Sequence, residues 1–251
     1  MRTCRFRRAG RERYGVIEGL EVRPLSAEPW AGGLPEGPAL ALSEVRLLAP
    51  ALPQKVVCVG RNYAAHAKEL GNEVPKEPLV FMKPATAVVG PGEPIRIPEV
   101  SSDVQHEAEL AVVMGRPLTR AATAAEARAA VFGYTCLNDV TARDIQRAEA
   151  HFTRAKGYDT FCPLGPVIET DLDPLDTTVV CRVNGDERQR GSTRDMIVDP
   201  FALLVFISRI MTLLPGDVVA TGTPAGVSRM VRGDWVEVEV GGVGVLKNPV
   251  T

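Results

Sequence analysis

The sequence predicts a β-rich α+β protein, and three observations favour this class. Short apolar runs of strand length, bounded by glycine and proline, recur along most of the chain, whereas only a few segments have helical periodicity. Strand and helix signals do not alternate regularly, which disfavours a doubly wound parallel sheet. The 23 glycines and 20 prolines among 251 residues indicate many turns. A chain of this length favours one sizeable domain with a small appendage.

The first part of the chain, residues 1–52, is predicted to be a small strand-rich N-terminal region. It begins with a short polar–apolar stretch at residues 13–17 and then enters a segment rich in proline and glycine at residues 29–38. Such a segment cannot form one long element, because proline and glycine interrupt both helices and strands. We therefore place the boundary of the main domain at residue 53, and the main domain covers residues 53–251.

The main domain contains most of the predicted strands and two predicted helices. The strands are short apolar runs at residues 55–60, 79–82, 108–114, 179–183, 218–221 and 235–240. An alanine-rich segment at residues 121–130 is predicted to be helical. A second helix is predicted from Pro200 to Leu214, because Asp199 is a typical N-cap, proline is favoured in the first turn, and Pro215 ends the pattern.

Composition excludes several classes of function. The 29 basic and 31 acidic side chains leave a net charge of −2, so the chain has no broad positive field for nucleic acid. No apolar run is long enough to cross a membrane, and the five cysteines have no zinc-like spacing, which together predict a cytoplasmic protein without a membrane partner. The sequence motifs of P-loop, dinucleotide-binding, serine-hydrolase and zinc-protease sites are absent.

Two carboxylates on a predicted strand form the first candidate site. Glu107 and Glu109 are two residues apart, so their side chains point to the same face of the strand. Neighbouring negative charges repel each other, which leaves two interpretations: a solvated strand edge, or a pair of oxygen ligands for a divalent cation. Asp139 follows another apolar run and could supply a third ligand, although a single aspartate in a turn is more often structural.

A second candidate site lies in residues 60–71, GRNYAAHAKELG. If the middle of this segment is helical, His66 and Glu69 lie on one face, and the carboxylate can orient the imidazole as a general base. An exposed helix with ordinary surface charges is the alternative. Gly60 and Gly71 at the two ends would allow the segment to move as a lid. Lys156 and the turn at residues 221–227 are weak signals by themselves.

Several segments, taken in order, together resemble the fumarylacetoacetate hydrolase superfamily from about residue 55 to the end of the chain. These segments are GRNYAAHAKEL, EPLVFMKP, HEAELAVVMG, LNDVTARD, VNGDERQRG and LLPGDVVATGTPAGV. The resemblance is closest to the branch of small single-domain acylpyruvases, oxaloacetate decarboxylases and 2-hydroxyhepta-2,4-diene-1,7-dioate isomerases. It implies a mixed β-sheet roll as the fold of the catalytic domain, and assembly as a homodimer.

The resemblance also implies a role for ten residues of this chain. The ligands of a Mg²⁺ or Mn²⁺ ion would be Glu107, Glu109 and Asp139. The catalytic residues would be His66 and Glu69 as a dyad on the lid, with Lys156 holding negative charge that develops on the substrate. The substrate contacts would be Arg61, Arg143, Gln146 and Thr223.

The expected function is metal-dependent hydrolysis of a C–C bond in acylpyruvate-type 2-oxo acids, as in the catabolism of aromatic compounds. In this hypothesis the metal stabilises an enolate and the His66–Glu69 dyad activates water. The same site could instead isomerise 2-hydroxyhepta-2,4-diene-1,7-dioate or decarboxylate oxaloacetate. The alternative from a different class of function is a metal-binding protein without turnover. That alternative does not explain why His66, Glu69 and Lys156 are all present.

Overall fold

The computed structural model describes all 251 residues and contains 18 strands and five α-helices, which confirms the β-rich α+β class. Five strands lie in the N-terminal region: β1 (Arg2–Arg8), β2 (Arg11–Glu18), β3 (Glu21–Pro24), β4 (Leu40–Ala41) and β5 (Arg46–Leu48). The others, in chain order, are β6 (Val56–Gly60), β7 (Leu79–Lys83), β8 (Val88–Val89), β9 (Val104–Gln105), β10 (Ala108–Met114), β11 (Val131–Asn138), β12 (Thr141–Ala142), β13 (Cys162–Glu169), β14 (Thr178–Val183), β15 (Asp186–Ser192), β16 (Val218–Ala220), β17 (Trp235–Val240) and β18 (Gly244–Pro249).

The α-helices are short except for the last one. They are α1 (Ala64–Glu69), α2 (Ala124–Ala130), α3 (Arg143–Ala148), α4 (Thr153–Lys156) and α5 (Pro200–Ile210). Single 3₁₀ turns occur at Pro29–Ala31, Leu42–Glu44, Ala85–Ala87 and Thr193–Asp195. None of the helices combines the length and the apolar character that crossing a membrane requires.

A mixed sheet of 12 strands forms the framework of the molecule. Its main path runs β4-β3-β2-β1-β13-β11-β10-β16-β6-β7, while β5 pairs with β1 and β8 pairs with β13. Most neighbours are antiparallel, but β16 with β6 and β8 with β13 are parallel. Because β1 pairs with β13, the N-terminal strands continue the same sheet as the main domain.

A second, four-stranded antiparallel sheet in the order β15-β14-β17-β18 packs on the middle of the large sheet. The main hydrophobic core lies between them and includes Leu110 and Val112 of β10. The other face of β10 contributes Ala111 and Val113 to a separate buried cluster. Both faces of β10 are therefore covered, which explains why its sequence is a continuous apolar run rather than an alternating one.

The structure corrects the bounds of both predicted helices. Helix α2 begins three residues later than predicted, because Thr123 is its N-cap and forms a capping box with Glu126. Helix α5 begins as predicted, with the Asp199 side chain accepting hydrogen bonds from the first turn, but it ends at Ile210. The predicted extension to residue 214 is wrong, because the backbone N–H and C=O of Leu213 pair with Leu118.

All five cysteines are buried and free. Burial raises the pKa of the Cys162 thiol to about 12, so this residue stays protonated and unreactive. The cysteines therefore serve as core residues, in keeping with their lack of metal-like spacing in the sequence.

Candidate functional site

The three predicted carboxylates meet at one end of two neighbouring central strands. Glu107 immediately precedes β10, and Asp139 immediately follows β11. The antiparallel register pairs Ala108 with Asn138, so the beginning of β10 lies beside the end of β11. The backbone N–H of Asp139 donates to the carbonyl oxygen of Glu107 at 2.8 Å. As a result, one oxygen from each of Glu107, Glu109 and Asp139 lies within 4.8 Å of the others.

All three carboxylates are buried, with exposed fractions of 4% for Glu107 and 1% each for Glu109 and Asp139. A solvated strand edge is therefore the wrong interpretation of the Glu107–Glu109 pair. Buried carboxylates need positive partners, because the protein interior does not solvate them.

Two buried lysines supply part of this positive charge. Lys156 donates from Nζ to Asp139 Oδ2 at 2.5 Å, to Glu107 Oε2 at 3.0 Å and to Thr141 Oγ1 at 2.8 Å. Lys83 donates to Asp139 Oδ1 at 2.6 Å and to the carbonyl oxygen of Val140 at 3.0 Å. Both oxygens of Asp139 are thus bonded to lysines, and the three N–H groups of Lys156 are all in use. Lys156 therefore stabilises the negative charges of Glu107 and Asp139 and fixes the positions of both side chains.

The pKa shifts show where positive charge is missing. Burial alone would raise the pKa of Glu107, but Lys156 and Arg143 outweigh it and hold that pKa well below its ordinary value. Burial also opposes the charge on Lys156, yet Asp139 and Glu107 raise the pKa of its ammonium group. By contrast, burial together with the negative charges of Asp139 and Glu107 raises the pKa of Glu109 well above its usual range.

Glu109 is the carboxylate of this group that has no cationic side chain as a partner. Its single hydrogen bond comes from the backbone N–H of Gly222, at 2.7 Å from Oε2. A cation placed among the three carboxylates would relieve this imbalance. A site made of carboxylate oxygens suits a hard divalent ion such as Mg²⁺ or Mn²⁺ better than a soft metal. The donor set therefore fits the metal that the sequence predicted.

The second candidate pair is formed on helix α1. His66 Nδ1 lies 3.3 Å from Glu69 Oε2, three residues along the same helix. Because a carboxylate accepts hydrogen bonds, this contact assigns the imidazole proton to Nδ1 and leaves the lone pair of Nε2 free to act as a base. Most of helix α1 is exposed, but His66 is buried, so the imidazole is turned away from solvent.

Glu69 also ties helix α1 to the turn at residues 221–227. Its two carboxylate oxygens accept hydrogen bonds from the backbone N–H of Gly226, at 3.0 and 3.1 Å. Gly226 has a positive φ of 104°, and a Cβ at this position would lie 2.1 Å from the carbonyl oxygen of Arg188. Only glycine fits this position, and the orientation of His66 therefore depends on the turn as well as on its own helix.

A small cavity of about 40 Å³ lies over the carboxylates, and eight of the ten predicted residues line it. They are Arg61, His66, Glu107, Glu109, Arg143, Gln146, Lys156 and Thr223. The remaining two, Glu69 and Asp139, are hydrogen-bonded to residues that do line it. The structure thus brings all ten together, while their roles in binding and catalysis stay predictions.

Two of the predicted substrate contacts are ordered by a network around Arg143. Its guanidinium donates to Gln105 Oε1 at 2.9 Å, to Gln146 Oε1 and to Glu107 Oε1. Because Gln146 accepts through Oε1, its amide N–H groups remain available to donate into the cavity. The side chain of Arg61 has no hydrogen-bond or ion-pair partner within the chain, and its backbone has a positive φ of 58°. Its guanidinium is therefore free to pair with an anionic group.

The hydroxyl group of Thr223 is already occupied by hydrogen bonds within the chain. Its Oγ1 donates to the carbonyl oxygen of Ala108 at 2.8 Å and accepts from Gln189 Nε2 at 2.7 Å. The hydroxyl proton is therefore already used. The backbone N–H of Thr223 makes no hydrogen bond within the chain, which leaves it as the donor that this residue can offer a substrate.

Gln189, on strand β15 of the smaller sheet, is a site residue that sequence reasoning missed. Besides Thr223, its amide nitrogen donates to the carbonyl oxygen of Pro224 at 2.7 Å. Its Oε1 lies 2.9 Å from His106 Nδ1 and accepts from the backbone N–H of Ala108 at 3.0 Å. Gln189 thus joins the start of the carboxylate strand to the turn at residues 221–227. No local signal marks it, since it stands among polar residues on an otherwise exposed strand.

We expect the replacement Gln189→Leu to lower the free energy of unfolding by about 2–4 kcal/mol, because several buried polar groups would lose their partners together. Urea unfolding at fixed metal concentration measures this change. The matched control is Gln54→Leu at an exposed position, where we expect a change within about 0.5 kcal/mol. Equal urea midpoints for the two variants would contradict a structural role for Gln189.

Comparison with known protein families matches residues 55–251 to the family described as fumarylacetoacetate (FAA) hydrolase C-terminal. Residues 1–50 match a second family, described as Rv2993c-like, N-terminal. The two matches meet close to the boundary predicted from the sequence. In the structure the two matched segments share the large sheet, because β1 pairs with β13.

Similar proteins cover nearly the whole chain. Protein Rv2993c of Mycobacterium tuberculosis is 48% identical, over 94% of this chain and 90% of that protein. Oxaloacetate tautomerase FAHD2A, a mitochondrial protein of Bos taurus, is 43% identical, over 85% of this chain and 72% of its own length. The crystal structure of 2-hydroxyhepta-2,4-diene-1,7-dioate isomerase from Mycobacterium marinum superposes with a TM-score of 0.93 at 44% identity, covering 100% of this chain and 98% of that one.

Proposed function

The chain belongs to the fumarylacetoacetate hydrolase family, and on that basis we propose that it is a Mg²⁺- or Mn²⁺-dependent tautomerase or isomerase of 2-oxo dicarboxylic acids. The observation that carries this proposal is the position of His66. Its Nδ1 is held by Glu69, and it faces the same small cavity as the buried carboxylates. A base and an anion-stabilising site in one cavity are the requirements for moving a proton next to a keto group.

Glu107, Glu109 and Asp139 are the residues that would hold the divalent cation. When bound there, the cation would supply electrostatic stabilisation for negative charge on the carboxylate and keto oxygens of a 2-oxo acid. The imbalance at Glu109 is the feature of this chain that supports cation binding.

The charges around the cavity support a dianionic substrate. The three buried carboxylates and three buried cations, Lys83, Lys156 and Arg143, have no net charge together, although the cations pair only with Glu107 and Asp139. The unpaired guanidinium of Arg61 adds one further positive charge at the cavity wall. With a divalent ion in place the site would carry a surplus of positive charge, most of which two carboxylates on the substrate would offset. Two relatives are named for oxaloacetate and for a heptadienedioate, which are both dicarboxylates.

In the proposed reaction His66 Nε2 removes a proton from the carbon beside the keto group, and Glu69 stabilises the resulting imidazolium. The amide of Gln146 and the backbone N–H of Thr223 donate to substrate oxygens, while Arg61 pairs with the distal carboxylate. Delivery of the proton to the keto oxygen gives the enol, which is tautomerisation. In the opposite direction the enol loses its O–H proton and the same carbon receives one. Return to a different carbon of a conjugated chain amounts to isomerisation of the double bond.

Hydrolysis of a C–C bond in acylpyruvates, the activity expected from the sequence, is the second candidate. The hydrogen bond between His66 and Glu69 favours it, because the same pair could deprotonate a water molecule that attacks the distal carbonyl. Both candidates require an enolate, and they differ in whether water or only a proton takes part.

A substrate panel separates these candidates. The enol form of oxaloacetate, 2-hydroxyhepta-2,4-diene-1,7-dioate and acetylpyruvate are assayed with Mg²⁺, with Mn²⁺ and after chelation. We expect metal-dependent turnover of a dicarboxylate to exceed cleavage of acetylpyruvate at least about tenfold in kcat/KM. The opposite order would select the hydrolase, and metal binding without turnover of any short 2-oxo acid would select a non-catalytic metal-binding protein.

A further inference from the structure

A large apolar groove lies beside the small cavity. Its volume is about 810 Å³, compared with about 40 Å³ for the cavity itself. The groove follows the outer strand β7 at the edge of the large sheet and reaches the end of helix α5. Its apolar lining includes Leu79, Phe81, Met82, Phe152, Ile210 and Met211.

Phe81 and Phe152 line both the groove and the cavity. Their rings are in contact, with centroids 5.2 Å apart and planes at 85° to each other. On one side, the ring of Phe81 lies 4.9 Å from Nζ of Lys156. On the other, a Cβ added to Gly60 would lie 3.7 Å from Cε2 of Phe152. The two rings therefore form a wall between the cavity and the groove.

We propose that this aromatic wall determines the length of substrate that the site accepts, and that Phe152 is the residue that sets the limit. The inference rests on the proposed function, since it concerns the distal group of a 2-oxo acid bound in the cavity. A short distal group ends at the two rings. A longer apolar chain would have to pass through them to reach the groove, which is otherwise wide enough and apolar enough to hold it.

Phe152 is the better of the two residues for a test. Phe81 contacts Lys156, so its replacement would also disturb the residue that holds Glu107 and Asp139. Phe152 is only partly buried, on the segment just before helix α4. Its hydrogen bond with Lys156 joins backbone atoms, Lys156 N–H donating to the Phe152 carbonyl oxygen at 3.0 Å, so a change of side chain leaves it in place. Shortening Phe152 to alanine joins the cavity to the groove and leaves the hydrogen bonds around the carboxylates in place.

The experiment measures how tightly N-alkyl oxamates, which are stable analogues of 2-oxo acids, bind to the full chain with Mg²⁺ present. Isothermal titration gives Kd for a series from N-methyl to N-hexyl oxamate. For the natural chain we expect binding to weaken as the alkyl chain lengthens. For Phe152→Ala we expect each added methylene to tighten binding by up to about fourfold, because it enters an apolar groove. N-hexyl oxamate should then bind at least about tenfold more tightly to Phe152→Ala than to the natural chain.

Two further variants serve as controls for the effect of Phe152→Ala. Phe132→Ala removes one ring from a similar edge-to-face pair with Trp30, where the centroids are 5.7 Å apart, at the opposite end of β11 from Asp139. We expect this control to keep the natural length profile. Phe152→Leu removes less volume, and we expect it to bind N-hexyl oxamate with intermediate affinity even if the alanine variant folds poorly.

The possible failures are distinguishable. If the natural chain binds N-methyl oxamate but the Phe152 variants show the same length profile, the aromatic wall does not set the limit and the inference is overturned. Tight binding of N-hexyl oxamate to the natural chain would overturn it as well. If no oxamate binds to the metal-loaded natural chain, the proposed function fails, and the inference fails with it.

Discussion

Replacing Glu109 with glutamine is expected to abolish divalent-cation binding and turnover together. Glutamine has nearly the same shape and can still accept the hydrogen bond from Gly222, so the replacement removes mainly one negative charge. The remaining carboxylates, Glu107 and Asp139, are already bonded to cationic side chains. The negative charge that remains is too small to bind a hard divalent ion tightly. We expect Kd for Mn²⁺ to rise at least about 100-fold, with kcat below detection.

Titration calorimetry with Mn²⁺ and a metal-saturated activity assay measure the two effects. Glu99→Gln, at an exposed position, is the control and should leave both unchanged. Unfolding does not explain a loss in Glu109→Gln, because a neutral amide removes the repulsion that Glu109 experiences from its neighbours, and the metal-free protein should be at least as stable as before. Natural Mn²⁺ affinity in this variant, or full activity after exhaustive chelation, would contradict the metal site.

His66→Ala is expected to separate binding from chemistry. The side chain is not among the three carboxylates, so the variant should keep Mn²⁺ and still bind oxalate, which resembles the enolate of a 2-oxo acid. Without the base, kcat should fall by about 10²–10⁴-fold, the usual contribution of general-base catalysis. Glu69→Gln should give a smaller loss, because the imidazole remains but its orientation and the stabilisation of its charge are weakened.

The control for this experiment is His151→Ala, which removes an exposed histidine outside the cavity and should leave kcat unchanged. If kcat of His66→Ala falls by less than about tenfold, His66 is not the base. Loss of Mn²⁺ together with activity would assign His66 to the metal site instead.

The sequence predicted strands best where the pattern of apolar residues is clear along the whole element. Strands β10 and β17 have the predicted bounds. All residues of β10 are buried, whereas β17 alternates valine with glutamate and buries only its valine face. Helix α5 was predicted too long, since its apolar pattern continues into Leu213, and only the pairing of Leu213 with Leu118 ends the helix. Backbone pairing between segments that are distant along the chain cannot be predicted from the local pattern of apolar residues.

The same distinction applies to the site. The alternation of side chains along a strand is a local property, and it correctly placed Glu107 and Glu109 on one face. From the residues alone Asp139 was only a candidate, and the resemblance was what implied that it is a metal ligand. Lys83 and Gln189 were assigned no role, because their partners are distant along the chain. Asp139 is 56 residues from Lys83, and the partners of Gln189 are 34 to 83 residues from it. Their importance follows from the topology of the two sheets.

The role of Thr223 shows a further limit. The resemblance implies a substrate contact at this position, but it does not say which atom makes the contact. In the structure the hydroxyl group is bonded to Ala108 and Gln189, and the backbone N–H is the group that remains. Which donors are already used is a property of the folded network and is not visible in the sequence.

The central claim is that His66 removes a proton from the carbon beside the keto group of a 2-oxo acid. A divalent cation, which Glu107, Glu109 and Asp139 would hold, would stabilise the negative charge that this step creates. Proton NMR in D₂O tests it directly, by following deuterium incorporation at C3 of the oxaloacetate that remains in solution. With Mg²⁺ the natural chain should exchange these protons well above the spontaneous rate, whereas chelation or His66→Ala should return exchange to that rate. Exchange at the spontaneous rate with the metal-loaded natural chain would contradict the account.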